Sequence, residues 1–284
     1  MVMQRAPRLV RSLGLPLVFA LAAIAAAASG GTTARADSPA GPANVTASEF
    51  TGPQFSYPIG GTTGWDISWP QCDNGERSQG AMNFSIIGVN GGKMFTTNKC
   101  LKEMFSWANN GRTLPQVYVN TSGLPDGWTS PLCAKTDLPC NAYNYGYEGA
   151  AFAHRYAKSQ GVDPQYWWLD VETGNYWTND HFLNERVIAG AIEYLQETGH
   201  TLGVYSTPRQ WGIIAGGYAP KLMNWTAGAA DLADATSRCT PKYAFGGGTV
   251  VLVQYVSEHF DTSYICPNTG VGRRATMLNV ASGN

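Results

Sequence analysis

The sequence predicts a mixed α/β fold, a TIM-like (β/α) barrel with fewer than eight helices whose last strands lack full helices. Three observations carry this expectation. Short apolar runs alternate with helical patterns through the middle of the chain, the rhythm of βα units that close into a parallel barrel. Toward the C-terminus the helices thin out and strand follows strand. The length of 284 residues, less an N-terminal leader, also suits a single barrel domain of ~250 residues.

Residues 1–36 read as a secretory signal, with Arg5, Arg8 and Arg11 ahead of an apolar run from Leu13 to Ala28 and Ala34-Arg35-Ala36 as the cleavage site. Residues 37–63 are rich in Pro, Gly, Ser and Thr and read as a flexible N-terminal segment. A single barrel domain is expected over residues 64–284. No stretch after the leader approaches the ~18 apolar residues of a membrane span, so no stable membrane insertion is expected.

The first strand is Gly64–Ser68, ended by Pro70. The second is Phe84–Asn90, followed by a helix from about Asn98 to Asn110 that Gly111 stops. The third is Leu114–Asn120, and Thr121–Tyr145 reads as a long loop stapled by its two cysteines. A helix from Tyr147 to Ser159 ends near Gly161 and leads into the fourth strand, Tyr166–Glu172. Asn179 or Asp180 caps the longest helix, which carries Leu183, Val187, Ala191 and Leu195 on one stripe and stops at Gly199. Thr201–Ser206 is the fifth strand, and Pro208 opens a short helix toward Ile214. Leu222–Ala227, Thr249–Val256 and Asp261–Cys266 complete the eight.

Charged residues make up only 14%, against 33 Gly and 12% aromatics with nine Trp, which argues for a packed globule over disorder. Removing the leader's four Arg from 19 basic residues leaves 15 against 20 acidic ones, and this acidic balance argues against a nucleic-acid partner. Six Cys in an exported chain point to disulfides. Sequence allows ~15 pairings. The neighbour pattern, Cys72 with Cys100, Cys133 with Cys140 and Cys239 with Cys266, is favoured because it crosses no loops. There is no C-x-x-C pair, and His154, His181, His200 and His259 are scattered, so neither a metal nor a cofactor is expected.

The most informative stretch is Trp167-Trp168-Leu169-Asp170-Val171-Glu172. Side chains on a strand alternate, so Asp170 and Glu172 share one face and Leu169 and Val171 the other. Burying ionised carboxylates without partners costs several kcal/mol, and one escape is a raised pKa that keeps a proton in place at neutral pH, the property of a general acid. Asp66 ends the first strand and Asp261 follows the seventh. Barrels place active sites at the C-terminal ends of their strands, so all four acids are expected at one mouth.

In order along the chain, these segments resemble glycoside hydrolase family 25, the barrel lysozymes that cut peptidoglycan between N-acetylmuramic acid and N-acetylglucosamine. Gly64-Trp65-Asp66-Ile67-Ser68 with Gln71 is similar to the family's opening Gly-x-Asp-x-Ser strand, and Leu169-Asp170-Val171-Glu172 to its Asp-x-Glu strand. Thr198-Gly199 leading to Val204-Tyr205-Ser206-Thr207 is similar to its next helix-to-strand passage, and Asn224-Trp225-Thr226-Ala227 to its Trp-Ile-Ala strand. Val253-Gln254-Tyr255 followed by Phe260-Asp261 resembles its Trp-Gln-Tyr strand and closing Val-Asp. The resemblance covers residues 64–266. It implies that Glu172 is the general acid, that Asp170 is its partner toward the substrate's N-acetyl group, and that Asp66 and Asp261 bind sugar or tune Glu172. Tyr118, Tyr205, Trp225, Tyr255 and Gln254 are the expected substrate-binding residues. The chain departs from the family at Gly88-Val89-Asn90-Gly91-Gly92, which lacks a charged pair, at Tyr118-Val119-Asn120, and in the Thr121–Tyr145 insertion. These departures bear on the sugar recognised more than on the barrel.

The expected function is a secreted, monomeric, lysozyme-like glycoside hydrolase, extracellular or wall-associated. Its partner would be cell-wall glycan or another polysaccharide. The alternative is a glycan-binding barrel of the cell surface that has lost turnover. The i, i+2 spacing of Asp170 and Glu172 leaves a retaining or inverting outcome open.

Overall fold

A computed structural model describes residues 60–74, 83–109, 115–257 and 260–267. The proposed signal, the 37–59 part of the N-terminal segment and the expected stop at Gly111 lie outside these residues. The barrel falls within the compact unit Thr51–Asn284.

Eight strands close a barrel in sequence order: β1 (Thr63–Ile67), β2 (Ser85–Gly88), β3 (Gln116–Asn120), β4 (Tyr166–Asp170), β5 (Thr201–Ser206), β6 (Met223–Ala229), β7 (Thr249–Ser257) and β8 (Phe260–Ile265). Neighbours from β1 to β7 are parallel, while β8 runs antiparallel to both β7 and β1, which corrects the all-parallel expectation. The reason is the connection. Ser257 pairs with Phe260 across a hairpin, whereas a parallel neighbour needs a crossover of about a dozen residues.

The helices are α1 (Pro70–Asn74), α2 (Leu101–Ala108), α3 (Leu138–Ser159), α4 (His181–Glu197), α5 (Pro208–Ala215) and α6 (Leu232–Ser237), with a 3₁₀ turn at Pro241–Tyr243. Pro70 therefore both follows a strand and opens a helix, the position where its missing N–H costs nothing. The largest correction is α3, which starts at Leu138 and not at Tyr147. Asp137 caps it by accepting from Cys140 N at 3.0 Å, and Pro139 sits in the first turn, so the Cys133–Cys140 disulfide staples a loop to a helix start. Cys72–Cys100 and Cys239–Cys266 also form, giving the favoured neighbour pattern.

Alternation along the strands builds two layers. Ile87, Val117, Val119, Trp167, Leu169, Val171 and Val204 face outward onto Leu101, Met104, Ala153, Ile188, Ala191 and Leu195 of α2, α3 and α4. Ile86, Trp168 and Trp225 fill the interior, with Tyr118 and Tyr205 packed against them. Helices α3 and α4 touch backbone to backbone. A Cβ on Gly146 would fall 1.8 Å from Val187 O and one on Gly190 2.0 Å from Tyr143 O, so only glycine fits at either crossing.

Candidate active site

The strand ends deliver all four predicted acids to one cleft of about 190 Å³. Asp66 comes from β1, Asp170 ends β4, and Glu172 stands two residues further on, on the same side of the chain. Asp261 arrives differently. Because β8 is antiparallel, its N-terminal end lies at the mouth, and Asp261 pairs in register with Asp66. Ser68, Trp69, Tyr118, Asn120, Tyr205, Trp225 and Gln254 complete the lining.

Of the five expected substrate-binding residues, Tyr118, Tyr205, Trp225 and Gln254 reach this cleft. Tyr255 does not line it. It follows Gln254 on β7 and so points to the opposite face, where it packs with the cluster of Ala229, Ala235, Val250 and Tyr264. Trp225 is only 2% exposed, so it forms a floor and not a free stacking surface. Tyr205 stacks edgewise on it with ring centroids 4.7 Å apart, and Trp168 lies beneath at 5.8 Å.

Sequence reasoning missed Ser68, Trp69 and Asn120 as lining residues, and Ser263 as a support. A period-two signal was present for two of them. Ser68 follows Asp66, and Asn120 follows Tyr118, at the same i, i+2 spacing that links Asp170 and Glu172. Trp69 stands 45% exposed at the rim, the one aromatic of the lining among the described residues open enough to offer a face to a ligand.

Hydrogen bonds fix the acids unequally. Gln254 Nε2 donates to Asp66 Oδ1 at 3.1 Å and Oδ2 at 3.3 Å, and Gln254 Oε1 accepts from the Tyr205 hydroxyl at 2.8 Å. Ser263 Oγ donates to Asp66 Oδ2 at 3.4 Å and accepts from Trp225 Nε1 at 2.9 Å. Asn120 Nδ2 donates to Asp170 Oδ2, while Asp170 Oδ1 is buried without a partner among the described residues. Glu172 is half-buried, and Asp261 is exposed at the rim.

These environments raise every carboxyl pKa in the cleft. Burial, then the charge of Asp261, pushes Asp66 up to about 8 against the pull of Gln254 and Ser263. Burial also lifts Asp170 well above the usual range, with the neighbouring Glu172 charge adding to it and the Asn120 bond opposing it. Glu172 is raised by burial and then by Asp261, whereas Asp261 is raised by burial alone. Asp261 is the more exposed of the two, and its charge is one of the causes that raise Glu172.

Among the described residues, the group of ligand-type side chains close enough to hold a metal is elsewhere, at His154, Asp163 and His200. Two of the four histidines that look scattered in sequence thus meet in space.

The chain is similar to known lysozymes. The family model of lysozyme-like protein 1 matches residues 138–233, a span that includes Asp170 and Glu172 but not Asp66 or Asp261. A probable GH family 25 lysozyme of Dictyostelium discoideum is 29% identical over 152 residues, covering 49% of this chain and 68% of that protein. A bacterial lysozyme from Streptomyces coelicolor is 16% identical over 72% of this chain and 92% of its own, with a TM-score of 0.46. A glycosyl hydrolase 25 from Streptococcus pneumoniae is 18% identical over 72% of this chain and 87% of its own, with a TM-score of 0.49.

Proposed function

We infer that the chain is a divergent member of glycoside hydrolase family 25, and we propose that it is a secreted enzyme cleaving peptidoglycan or a related N-acetylated glycan with Glu172 as general acid. The observation that carries this reading is the meeting of Asp66, Asp170, Glu172 and Asp261 in one cleft, with the half-buried Glu172 next to the exposed Asp261. The leader motif and three disulfides support secretion.

The cleft is smaller than the ~300–1,000 Å³ of enclosed ligand pockets, which suits one ring of a longer glycan held at the mouth. Glu172 gives its proton to the glycosidic oxygen as the C–O bond breaks. The sugar's own N-acetyl oxygen attacks the anomeric carbon, and Asp170, whose Oδ1 has no partner among the described residues, hydrogen-bonds the acetamido group and orients that attack. Water then opens the cyclic intermediate, with Glu172, now ionised, taking its proton. Asp66 holds the Gln254–Tyr205 wall, and Trp69 offers a stacking face at the rim.

The test is release of reducing ends from bacterial walls and from chitin oligomers. Equal behaviour of the wild type and Glu172→Gln on both substrates removes the enzyme reading. A second reading, a glycan-binding barrel without turnover, is favoured by one observation: β2 contributes no side chain to the cleft lining. Retention on walls without hydrolysis would decide for it.

A further inference from the structure

At the foot of the barrel, away from the cleft, three side chains converge from separate elements. His154 lies on α3, Asp163 in the connection to β4, and His200 between α4 and β5. Their ligand atoms lie within 4.8 Å of one another. His154 Nε2 is 3.2 Å and His200 Nε2 3.1 Å from the same oxygen, Asp163 Oδ1. We propose that His154, Asp163 and His200 form a binding site for a divalent transition-metal ion of the zinc class. This inference does not depend on the reading of the cleft.

The two nitrogen-to-oxygen spacings are close to those of a metal's ligands. Bonds of ~2.0–2.2 Å in a tetrahedral shell put neighbouring donor atoms about 3.3 Å apart. Both rings present Nε2 inward, and each Nδ1 meets a hydroxyl: Tyr194 at 3.0 Å from His154 and Thr198 at 2.8 Å from His200. Such outer contacts fix the ring and tautomer of a metal-bound histidine. The Thr198 bond is informative. Its Oγ1 also lies 2.9 Å from the Leu195 carbonyl, which can only accept, so the hydroxyl proton goes there and Oγ1 accepts from His200 Nδ1–H.

The surroundings permit exchange with solvent. The two imidazoles are nearly buried, at 7% and 8% exposure, but the Asp163 side chain is 45% exposed, leaving positions for water on the ion. Trp167 packs edgewise against both rings and holds them apart from bulk water. One group competes. Lys158 Nζ lies 3.3 Å from Asp163 Oδ2, and its charge opposes a bound cation.

Titrating untagged full-length protein with Co²⁺, read by visible d–d absorption, and with Zn²⁺, read by the thermal midpoint, tests the proposal. The expected result is one saturable site, a midpoint that climbs with Zn²⁺ concentration, and affinity weakened at least tenfold in His200→Gln and Asp163→Asn. Lys158→Gln binds more tightly than the wild type, and Glu172→Gln binds as the wild type does. No saturable binding in the wild type, or equal binding in Asp163→Asn, overturns the proposal. Asp163 is partly exposed, so Asp163→Asn supplies the answer even where His200→Gln does not fold. Loss of binding in Glu172→Gln would also overturn it, by placing the ion in the cleft.

Discussion

The two ends of the barrel treat a carboxylate in opposite ways. At the mouth four acids face one another and, among the described residues, the lining holds no basic side chain, whereas at the foot one acid faces two imidazoles and an ammonium group. Asp66 is pushed up to about 8, by burial first. Burial lifts Asp163 too, but hydrogen bonds from His200, His154 and Lys158 outweigh it and hold that carboxyl below its usual range. The same residue type is a proton store at one end and a fixed anion at the other. The difference lies in what each acid faces, and burial alone does not set it.

The comparison breaks most sharply at Glu172. Glu172→Gln keeps the shape of the mouth and removes its proton, so wall hydrolysis should fall about 10²–10⁴-fold with the thermal midpoint held, read by reducing-end release. An equal loss from Asp163→Asn would mean that the two ends are not independent.

Asp66 gives the next largest effect, on stability against pH. Its folded pKa of about 8 lies above the ordinary value of 3.8, so between those limits the folded state holds a proton that the unfolded state releases. Stability from this group is complete below about pH 4 and falls as pH rises toward 8, by at most about 1.4 kcal/mol per unit. Asp66→Asn should flatten that slope in urea unfolding series at pH 5, 6.5 and 8. A slope unchanged by the substitution would locate the titrating group elsewhere.

Gly203 tests the interior that separates the ends. A Cβ there would lie 2.1 Å from Trp168 Cζ3, on a ring with no exposed surface. Gly203→Ala should cost about 1–3 kcal/mol in unfolding free energy by overpacking. The smallest effect is at the rim. Trp69→Ala should raise KM for glycan about tenfold, the ~1.4 kcal/mol of one lost stacking face, and leave kcat nearly unchanged. A change in kcat instead would move Trp69 from binding to positioning.

Much of this architecture was legible in the chain because the strands state their own period. Asp66 with Ser68, Tyr118 with Asn120, and Asp170 with Glu172 each mark one face at i, i+2 spacing, and that face is the barrel's inside. The stops at Gly161 and Gly199, both with positive φ, were equally readable, and of the two caps the sequence offers, Asn179 and Asp180, Asp180 is the one used. The start of α3 was not. Pro139 between two cysteines reads as loop chemistry, and only the Asp137 cap reveals a helix first turn. The direction of β8 and the turn of α6 depend on how short segments pack, which periodicity does not report. Nor could sequence bring His154 beside His200, since the contact joins α3 to the turn between α4 and β5.

The pairing of β1 with β8 also sets an order in time. Asp66 and Asp261 are register partners drawn from the first and last strands, and contacts that span so much chain form late because the loop they close is entropically costly. Seven strands can be made and still leave Asp66 without its Ser263 bond and without Asp261 opposite. Until β8 pairs, the cleft lacks one wall, and a chain still emerging from the ribosome carries Glu172 without Asp261 beside it.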